Sequence, residues 1–232
     1  MTFLVVGEAL VDLISEAGSW RFEAAPGGSP LNVAVGLGAA GREVRLATEI
    51  GDDLFGGLIR AHLARYRVDH RDLRVTAAPT SLAFARLDDD GVASYDFRLQ
   101  WTWPGEVALD GVSCLHTGSL ATALAPGAEA VALTMAAARR RGITVSYDPN
   151  IRPSLLGDPS AARGRVEELV ATADIVKVSA EDLAWLYPDS SDLAAAARWA
   201  RTGPWLVVVT RGGAGAVALH GGDVIECAGP TV

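Results

Sequence analysis

The feature that most constrains the fold is a repeated alternation of short apolar runs with longer helical patterns. The apolar runs have the near-continuous character of buried strands and lie at 2–6, 44–50, 113–117, 143–148, 174–178 and 205–210. Helical patterns lie between them at 30–40, 54–67, 127–141, 161–173, 180–186 and 193–201. This alternation predicts a three-layer α/β/α fold with a mostly parallel sheet. Its ligand site should lie at the carboxyl ends of the strands.

Two segments interrupt the alternation. Residues 10–25 and 80–99 have the pattern of short strands joined by polar turns, and the second has its turn at Asp88-Asp89-Asp90-Gly91. Strands inserted in this way into an α/β chain often form a separate small sheet that covers a site. We therefore predict one α/β domain over residues 1–232 with a small β lid built from these two segments.

Composition and charge exclude several classes of protein. The net charge of −8 argues against a nucleic-acid surface, which needs clustered cations. No apolar run reaches the roughly 18 residues that span a bilayer, and the first residues lack a signal-peptide pattern, so no membrane partner and a cytoplasmic location are expected. The only lysine, Lys177, follows Val176 rather than a glycine, which excludes a P-loop.

The glycine-rich stretch PGGSPLNVAVGLGAAG, at 26–41, contains a G-x-G-x-x-G pattern in its second half. Such a pattern is typical of dinucleotide-binding loops, which open a helix of about ten or more residues. Here the next predicted strand begins three residues after Gly41, so that helix has no room. We reject the dinucleotide-binding interpretation.

The first half of the stretch predicts a helix with Pro30 in its first turn and Ser29 as its cap. Gly27 and Gly28 form a turn before it, whose bare backbone can approach a ligand, and Asn32 lies one turn inside the helix. An ordinary glycine-rich turn before a buried helix explains the same residues. The local pattern alone does not separate these two interpretations.

Gly27-Gly28-Ser29-Pro30-Leu31-Asn32-Val33-Ala34, followed by Gly41 and Gly51, resembles the N-terminal signature of the ribokinase/PfkB family of carbohydrate kinases. Further segments resemble blocks of the same family in the same order: VGEALVD at 6–12, PTSLAF at 79–84, YDFR at 95–98, HTGSL at 116–120, DPNIR at 148–152, KVSAED at 177–182 and TRGGAG at 210–215. Several of these are typical of fructokinase-like and 2-keto-3-deoxygluconate kinase-like members. The resemblance implies a ribokinase-like fold.

The resemblance also implies an activity: transfer of the γ-phosphoryl group of ATP, with Mg²⁺, to a hydroxyl of a ketose or a keto-deoxy sugar acid. The implied sugar-binding residues are Asp12, Gly27, Gly28, Asn32, Arg98 and Arg152, and the implied nucleotide-binding residues are Ser179, Thr210, Gly212 and Gly215. Asp182, or else Glu181, would lie near the magnesium. A homodimer through the lid is the implied assembly.

These assignments have a chemical basis and ordinary structural alternatives. A carboxylate such as Asp12 accepts hydrogen bonds from a polyol, and an arginine binds a carboxylate or a phosphate bidentately. Asp12 is otherwise a turn residue, Arg98 a surface arginine, and the acids at 181–182 first-turn helix residues. The turn at 210–215 is otherwise a plain hairpin turn.

The sequence departs from the family pattern at its end. Residues 226–232 resemble the stretch that leads into a D-T-x-G-A-G-D motif, whose last aspartate is the catalytic base. No G-A-G-D occurs in the 232 residues, and Gly213-Ala214-Gly215 is followed by Ala216. We expect a C-terminally incomplete domain whose base lies beyond Val232, with no catalytic base in this chain. A non-catalytic sugar- or nucleotide-binding relative and a nucleoside kinase of the same fold are the alternatives.

Overall fold

The computed structural model describes residues 1–87 and 93–229, so the predicted turn at 88–91 and the last three residues lie outside the described part. The strands are β1 (Thr2–Val6), β2 (Leu10–Ser15), β3 (Glu23–Gly27), β4 (Glu43–Gly51), β5 (Leu73–Thr76), β6 (Leu82–Leu87), β7 (Ala93–Arg98), β8 (Val112–Gly118), β9 (Thr144–Asp148), β10 (Ile175–Ser179), β11 (Leu206–Thr210), β12 (Ala216–His220) and β13 (Asp223–Cys227). The helices are α1 (Ser29–Ala39), α2 (Leu54–Arg65), α3 (Gly127–Arg140), α4 (Pro153–Leu156), α5 (Pro159–Thr172), α6 (Ala180–Leu186) and α7 (Asp192–Trp199), with 3₁₀ turns at Ser119–Thr122 and Gly212–Ala214. None of the helices described is long and apolar enough to cross a membrane.

The described strands form two sheets. Among the described residues, the larger sheet has nine strands in the order β13-β12-β11-β10-β9-β8-β1-β4-β5. The smaller sheet has four described strands in the order β3-β2-β6-β7. From β11 to β5 every neighbouring pair is parallel, and β12 and β13 add an antiparallel hairpin. The mostly parallel sheet and the small second sheet confirm the predicted fold class. Strand order reverses between β1 and β8, which is where an open α/β sheet binds its ligand.

Helices cover the two faces of the large sheet unequally. Helices α3, α5, α6 and α7 pack against β8, β9, β10 and β11, and the face beneath them buries apolar side chains such as Tyr147, Val178 and Val209. Helices α1 and α2 lie on the other side, over the β1 and β4 half. On β9 to β11 the face opposite the first helix layer carries half-buried side chains, among them Ser146, Lys177 and Val208.

Local signals account for most element boundaries. All six predicted strands and all six predicted helices are present, with ends displaced by no more than about two residues. One prediction at a boundary is wrong: Ser29 is not the cap of α1. Gly28 holds the cap position at φ 103° with no side-chain bond, and Ser29 begins the helix. Glycine is needed there because a Cβ would lie 2.8 Å from the Glu8 carbonyl oxygen.

Candidate functional site

A cleft of about 440 Å³ opens where β1, β8 and β9 end and the small sheet faces them. It therefore lies at the reversal of strand order. Its lining combines strand-end loops, the first turn of α1 and one face of the small sheet: Glu8, Leu10, Asp12, Gly28, Ser29, Asn32, Val33, Ala83, Tyr95, Phe97, Ser119, Leu120, Asn150 and Arg152. Carboxylate, amide, hydroxyl and guanidinium groups thus share one concave surface, which suits a small polyhydroxylated ligand.

The first turn of α1 supplies the wall of the cleft nearest β1. Gly28 precedes an 11-residue helix, so its end presents unpaired backbone N–H groups and a partial positive charge. Asn32 lies one turn inside and lines the same cleft. Gly27 lies directly behind the Asp12 carboxylate, and a Cβ on this glycine would overlap that carboxylate. The glycine thereby lets that carboxylate lie against the β3 backbone.

The small sheet supplies Asp12 through the alternation of its strands. Asp12 on β2 is paired with Ala83 on β6, and Ala83 with Phe97 on β7, so these side chains share one face. Tyr95 and Phe97 stack with their ring centroids 5.8 Å apart. Burial raises the pKa of Asp12, and the Arg152 guanidinium opposes that rise. Asp12 is thus a half-buried acceptor with a cation on the opposite wall.

The loop after β9 supplies Arg152. Its Nη1 donates to Asn150 Oδ1 and to the Ile151 carbonyl, both at 3.0 Å. Asn150 has φ 38°, a conformation that non-glycine residues rarely adopt, and its Nδ2 donates to Ser119 Oγ at 3.2 Å. Arg152 is therefore held by hydrogen bonds within its own loop.

Arg98, which the sequence also predicts to bind sugar, lies outside the cleft in the structure. It follows Phe97 on β7, so strand alternation turns its side chain away from the cleft. Its side chain is 66% exposed and pairs with Asp96 at 2.6 Å. Arg98 is not among the lining residues.

Glu8 is a lining residue that the sequence interpretation did not assign to the site. It is only 4% exposed, and its Oε2 accepts a hydrogen bond from the Ala121 N–H at 2.9 Å. Burial raises the pKa of Glu8 to about 7, although the Ser119 hydroxyl and Arg152 act in the opposite direction. The available signal was positional, because Glu8, Ser119 and Asn150 are polar residues within two positions of the ends of apolar strands.

An acidic pair lies beside the cleft, at the ends of β9 and β10. Asp148 Oδ2 accepts from Lys177 Nζ at 3.1 Å, and Asp182 Oδ1 accepts from the Ile151 N–H at 3.1 Å. Burial raises the pKa of Asp182, and the negative charge of Asp148 raises it further. Glu181 next to it is exposed. No cluster of three or more acidic, histidine or cysteine ligands occurs in the part of the chain that the structure describes.

The predicted nucleotide-binding residues lie at the ends of β10 and β11, where Ser179 and Thr210 are paired in register. Ser179 caps α6 by accepting from the Asp182 N–H at 3.0 Å. Gly212 and Gly215 have φ 55° and 95°, and a Cβ on Gly215 would overlap the Cys227 carbonyl oxygen. These contacts explain the residues structurally, and their nucleotide-binding role stays a prediction.

Comparison with known proteins identifies the family. The model of the pfkB family carbohydrate kinases matches residues 2–232. The chain belongs to this family. A fructokinase of Klebsiella pneumoniae is 35% identical over 228 residues, which are 95% of this chain and 74% of the relative.

Solved structures of family members have the same fold as this pfkB family protein. A fructokinase double mutant of Vibrio cholerae O395, in its fructose-, ADP- and potassium-ion-bound form, gives a TM-score of 0.86 at 28% identity over 100% of this chain and 76% of that one. A fructokinase of Xylella fastidiosa with bound ATP gives 0.82 at 26% identity over 97% of this chain and 76% of that one.

In this pfkB family member, the predicted sugar-binding residues divide into two groups. Asp12, Gly28, Asn32 and Arg152 converge on the cleft, with Gly27 directly behind Asp12. Arg98 does not reach it. The predicted nucleotide and magnesium residues lie along the same edge of the sheet, at the ends of β10 and β11, which follow β9 in the strand order.

Proposed function

We propose that this chain is a fructokinase-type sugar kinase that binds a ketose in the cleft and takes the γ-phosphoryl group from ATP. The observation that carries the proposal is the convergence of Asp12, Asn32 and Arg152, from three separate segments, on one cleft at the reversal of strand order. Carbohydrate-kinase family membership and fructokinase relatives support it.

The lining residues have distinct tasks in this proposal. Asp12 accepts hydrogen bonds from sugar hydroxyls, while Asn32 both donates and accepts. Arg152 donates from the opposite wall. Phe97 and Tyr95 cover the sugar from the small sheet and exclude water. Phosphoryl transfer needs mainly such positioning, together with stabilisation of charge on the transferred group.

The nucleotide belongs at the neighbouring strand ends, with its phosphates directed towards the cleft. In this proposal Thr210, Gly212, Gly215 and Ser179 face it. Asp182 fits Mg²⁺, since this ion needs only one or two carboxylates and keeps much of its water shell; bound there, it would neutralise phosphate charge. Exposed Glu181 is the weaker candidate. We assign no general base to the 232 residues, which lack a G-A-G-D segment.

Arg152 favours a second substrate class. A guanidinium on the cleft wall whose hydrogen bonds, among the residues that the structure describes, go to an amide oxygen and a backbone carbonyl can bind a carboxylate bidentately. A keto-deoxy sugar acid would use it in this way. The two substrates therefore differ in how strongly their binding depends on Arg152.

The test is ADP formation by the full chain with ATP and Mg²⁺, using fructose, 2-keto-3-deoxygluconate and adenosine as acceptors, with calorimetric binding of each acceptor in parallel. We expect the highest kcat/KM with fructose. Preference for the sugar acid supports the second candidate, and turnover of adenosine identifies a nucleoside kinase. Sugar binding without ADP formation identifies a non-catalytic relative, and binding of neither sugar refutes the proposal.

A further inference from the structure

Glu8, in the loop after β1, is hydrogen-bonded to a distant part of the chain. It follows β1, is 4% exposed, and lines the cleft. Its Oε2 accepts from the backbone N–H of Ala121, which is 113 positions away in the 3₁₀ turn after β8. A buried carboxylate is costly unless it is hydrogen-bonded, so this contact holds two strand ends together.

The turn that Glu8 contacts is itself strained. Ser119 has φ 55°, a backbone conformation that is uncommon outside glycine and persists where surrounding contacts enforce it. Three bonds surround it: from the Ala121 N–H to Glu8, from Asn150 Nδ2 to Ser119 Oγ at 3.2 Å, and from the Thr122 hydroxyl to the Ser119 carbonyl at 2.8 Å. Ser119 also lines the cleft.

The contacts continue from Ser119 to the sugar-facing guanidinium. Asn150, at φ 38°, accepts from Arg152 Nη1 through its Oδ1 at 3.0 Å. A connected path therefore runs from Glu8 through the turn at 119–122 to Asn150 and Arg152. It joins the carboxyl ends of β1, β8 and β9, which are adjacent in the sheet.

We propose that Glu8 is a positioning residue for the sugar site, which fixes the 119–122 turn and, through Asn150, sets the place of Arg152 on the cleft wall. This inference rests on the proposed sugar-binding function, because Arg152 acts there on the substrate. Glu8 acts on the sugar only through other groups. Its loss should therefore weaken sugar binding without removing a direct contact.

The charge of Glu8 strengthens this arrangement. Among the described residues, the charged group that acts on Glu8 is Arg152 from the loop after β9; Asp12 from β2 lines the same cleft, and α1 and the turn contribute the neutral Asn32, Ser119 and Ala121. Ionised Glu8 is a stronger acceptor than the protonated acid and attracts Arg152. Because burial raises the pKa of Glu8 to about 7, sugar affinity should increase as pH rises through that value.

The experiment is calorimetric titration of fructose into the full chain and three variants, between about pH 6 and pH 8.5. Glu8→Ala should raise Kd about tenfold, because it leaves the Ala121 N–H unpaired. Glu8→Gln keeps a neutral acceptor, so it should raise Kd less and flatten the pH dependence near 7. Glu49→Gln is the matched control, since Glu49 is another buried carboxylate, bonded to Thr102 at 3.1 Å and absent from the cleft lining.

The outcomes separate the two proposals. If the wild-type chain binds fructose and both Glu8 variants bind it with unchanged Kd and pH profile, the role of Glu8 is refuted and the sugar-binding function stands. If the wild-type chain binds neither fructose nor the sugar acid, the function fails and the Glu8 inference fails with it. Thermal unfolding of each variant checks folding, and nearly isosteric Glu8→Gln keeps the test available if Glu8→Ala does not fold.

Discussion

At the scale of single residues, the two arginines that the sequence assigns to the sugar site differ in their surroundings. Arg152 lines the cleft and is bonded to an amide and a carbonyl oxygen. Arg98 lies on the other face of β7 in an exposed pair with Asp96. Strand alternation explains the difference, because Phe97 takes the cleft-facing position next to Arg98.

Replacing each arginine by alanine tests this distinction. Arg152→Ala should raise the Kd for fructose by about 10- to 100-fold, the range for a hydrogen bond to a charged group. Arg98→Ala should change it less than about twofold, since an exposed ion pair contributes little. Calorimetry of both variants at one pH makes the comparison. Equal losses in the two variants would contradict the placement of these side chains.

Glu8 should also make stability depend on pH. Its pKa is raised from 4.5 to about 7 in the folded protein, so the folded chain binds this proton more readily than the unfolded chain. The contribution to the free energy of unfolding is present below about pH 4.5 and is lost as pH rises through 7, by an amount on the order of 3 kcal/mol.

Urea unfolding at several pH values measures this loss. The free energy of unfolding of Glu8→Gln, relative to wild type, should increase from pH 4.5 to pH 7, because glutamine has no proton to lose. Glu49→Gln is the control for removing a buried carboxylate elsewhere. A difference between Glu8→Gln and wild type that stays constant with pH would refute the raised pKa.

At the scale of elements, helix α2 is tied to the small sheet by its cap. Asp53 accepts from the Gly56 N–H at 2.8 Å, as a helix cap does. It also accepts from the backbone N–H and hydroxyl of Thr80, at 2.8 and 2.7 Å, just before β6. One carboxylate thus fixes both the start of α2 and the entry into the small sheet.

Asp53→Ala should therefore cost more than the loss of an ordinary cap. We expect about 2 kcal/mol, against about 1 kcal/mol for Ser191→Ala, which removes the single capping bond of α7. Denaturant unfolding gives both values. A smaller loss for Asp53→Ala than for Ser191→Ala would show that the contacts with Thr80 add nothing.

The sequence predicted the helices and strands whose own residues carry a clear apolar or capping pattern. Strands β1, β4, β8, β9, β10 and β11 of the large sheet all bury apolar side chains, so their apolar runs are evident in the sequence. The hairpin strands β12 and β13 were not predicted, and β13 is exposed along its whole length. The cap of α1 was misassigned, because the close approach of Gly28 to the Glu8 carbonyl is a tertiary contact.

The candidate site was predictable in part, because several of its residues lie in recognisable sequence segments. Asp12, Gly28, Asn32 and Arg152 lie in segments that resemble a family signature. The position of Arg98 followed only from the register of β7, and the contact of Glu8 with Ala121 joins residues that no local pattern connects. Both features depend on packing between distant segments, so the sequence alone did not predict them.

At the scale of the whole molecule, the small sheet leaves an apolar surface beyond the cleft. Ile14 continues the Asp12 face of β2, is paired with Ala85, and is 38% exposed; Tyr95, paired with Ala85 on β7, is 52% exposed. This face continues the cleft outwards. A second copy of the chain meeting it there is the assembly that the lid implies, and it remains a proposal.

Ile14→Glu tests that assembly. We expect a homodimer in the wild type and a monomer in this variant, because a charge on the shared face is desolvated on association. Ile225→Glu is the control, since Ile225 is 59% exposed on β13 at the far edge of the large sheet. Sedimentation equilibrium measures both. A dimer in Ile14→Glu, or a monomer in Ile225→Glu alone, would move the interface away from the small sheet.

The bond between Glu8 and Ala121 has a consequence for biosynthesis. The first wall of the cleft leaves the ribosome early, but the groups that hold it are translated only at 119–122 and 150–152. A nascent chain shorter than that has Asp12 and Asn32 but no opposite wall. If the cleft binds sugar as proposed, we expect sugar to stabilise the growing polypeptide only after β9 and its loop have emerged, so that protection of the early segments by substrate begins at that point of translation.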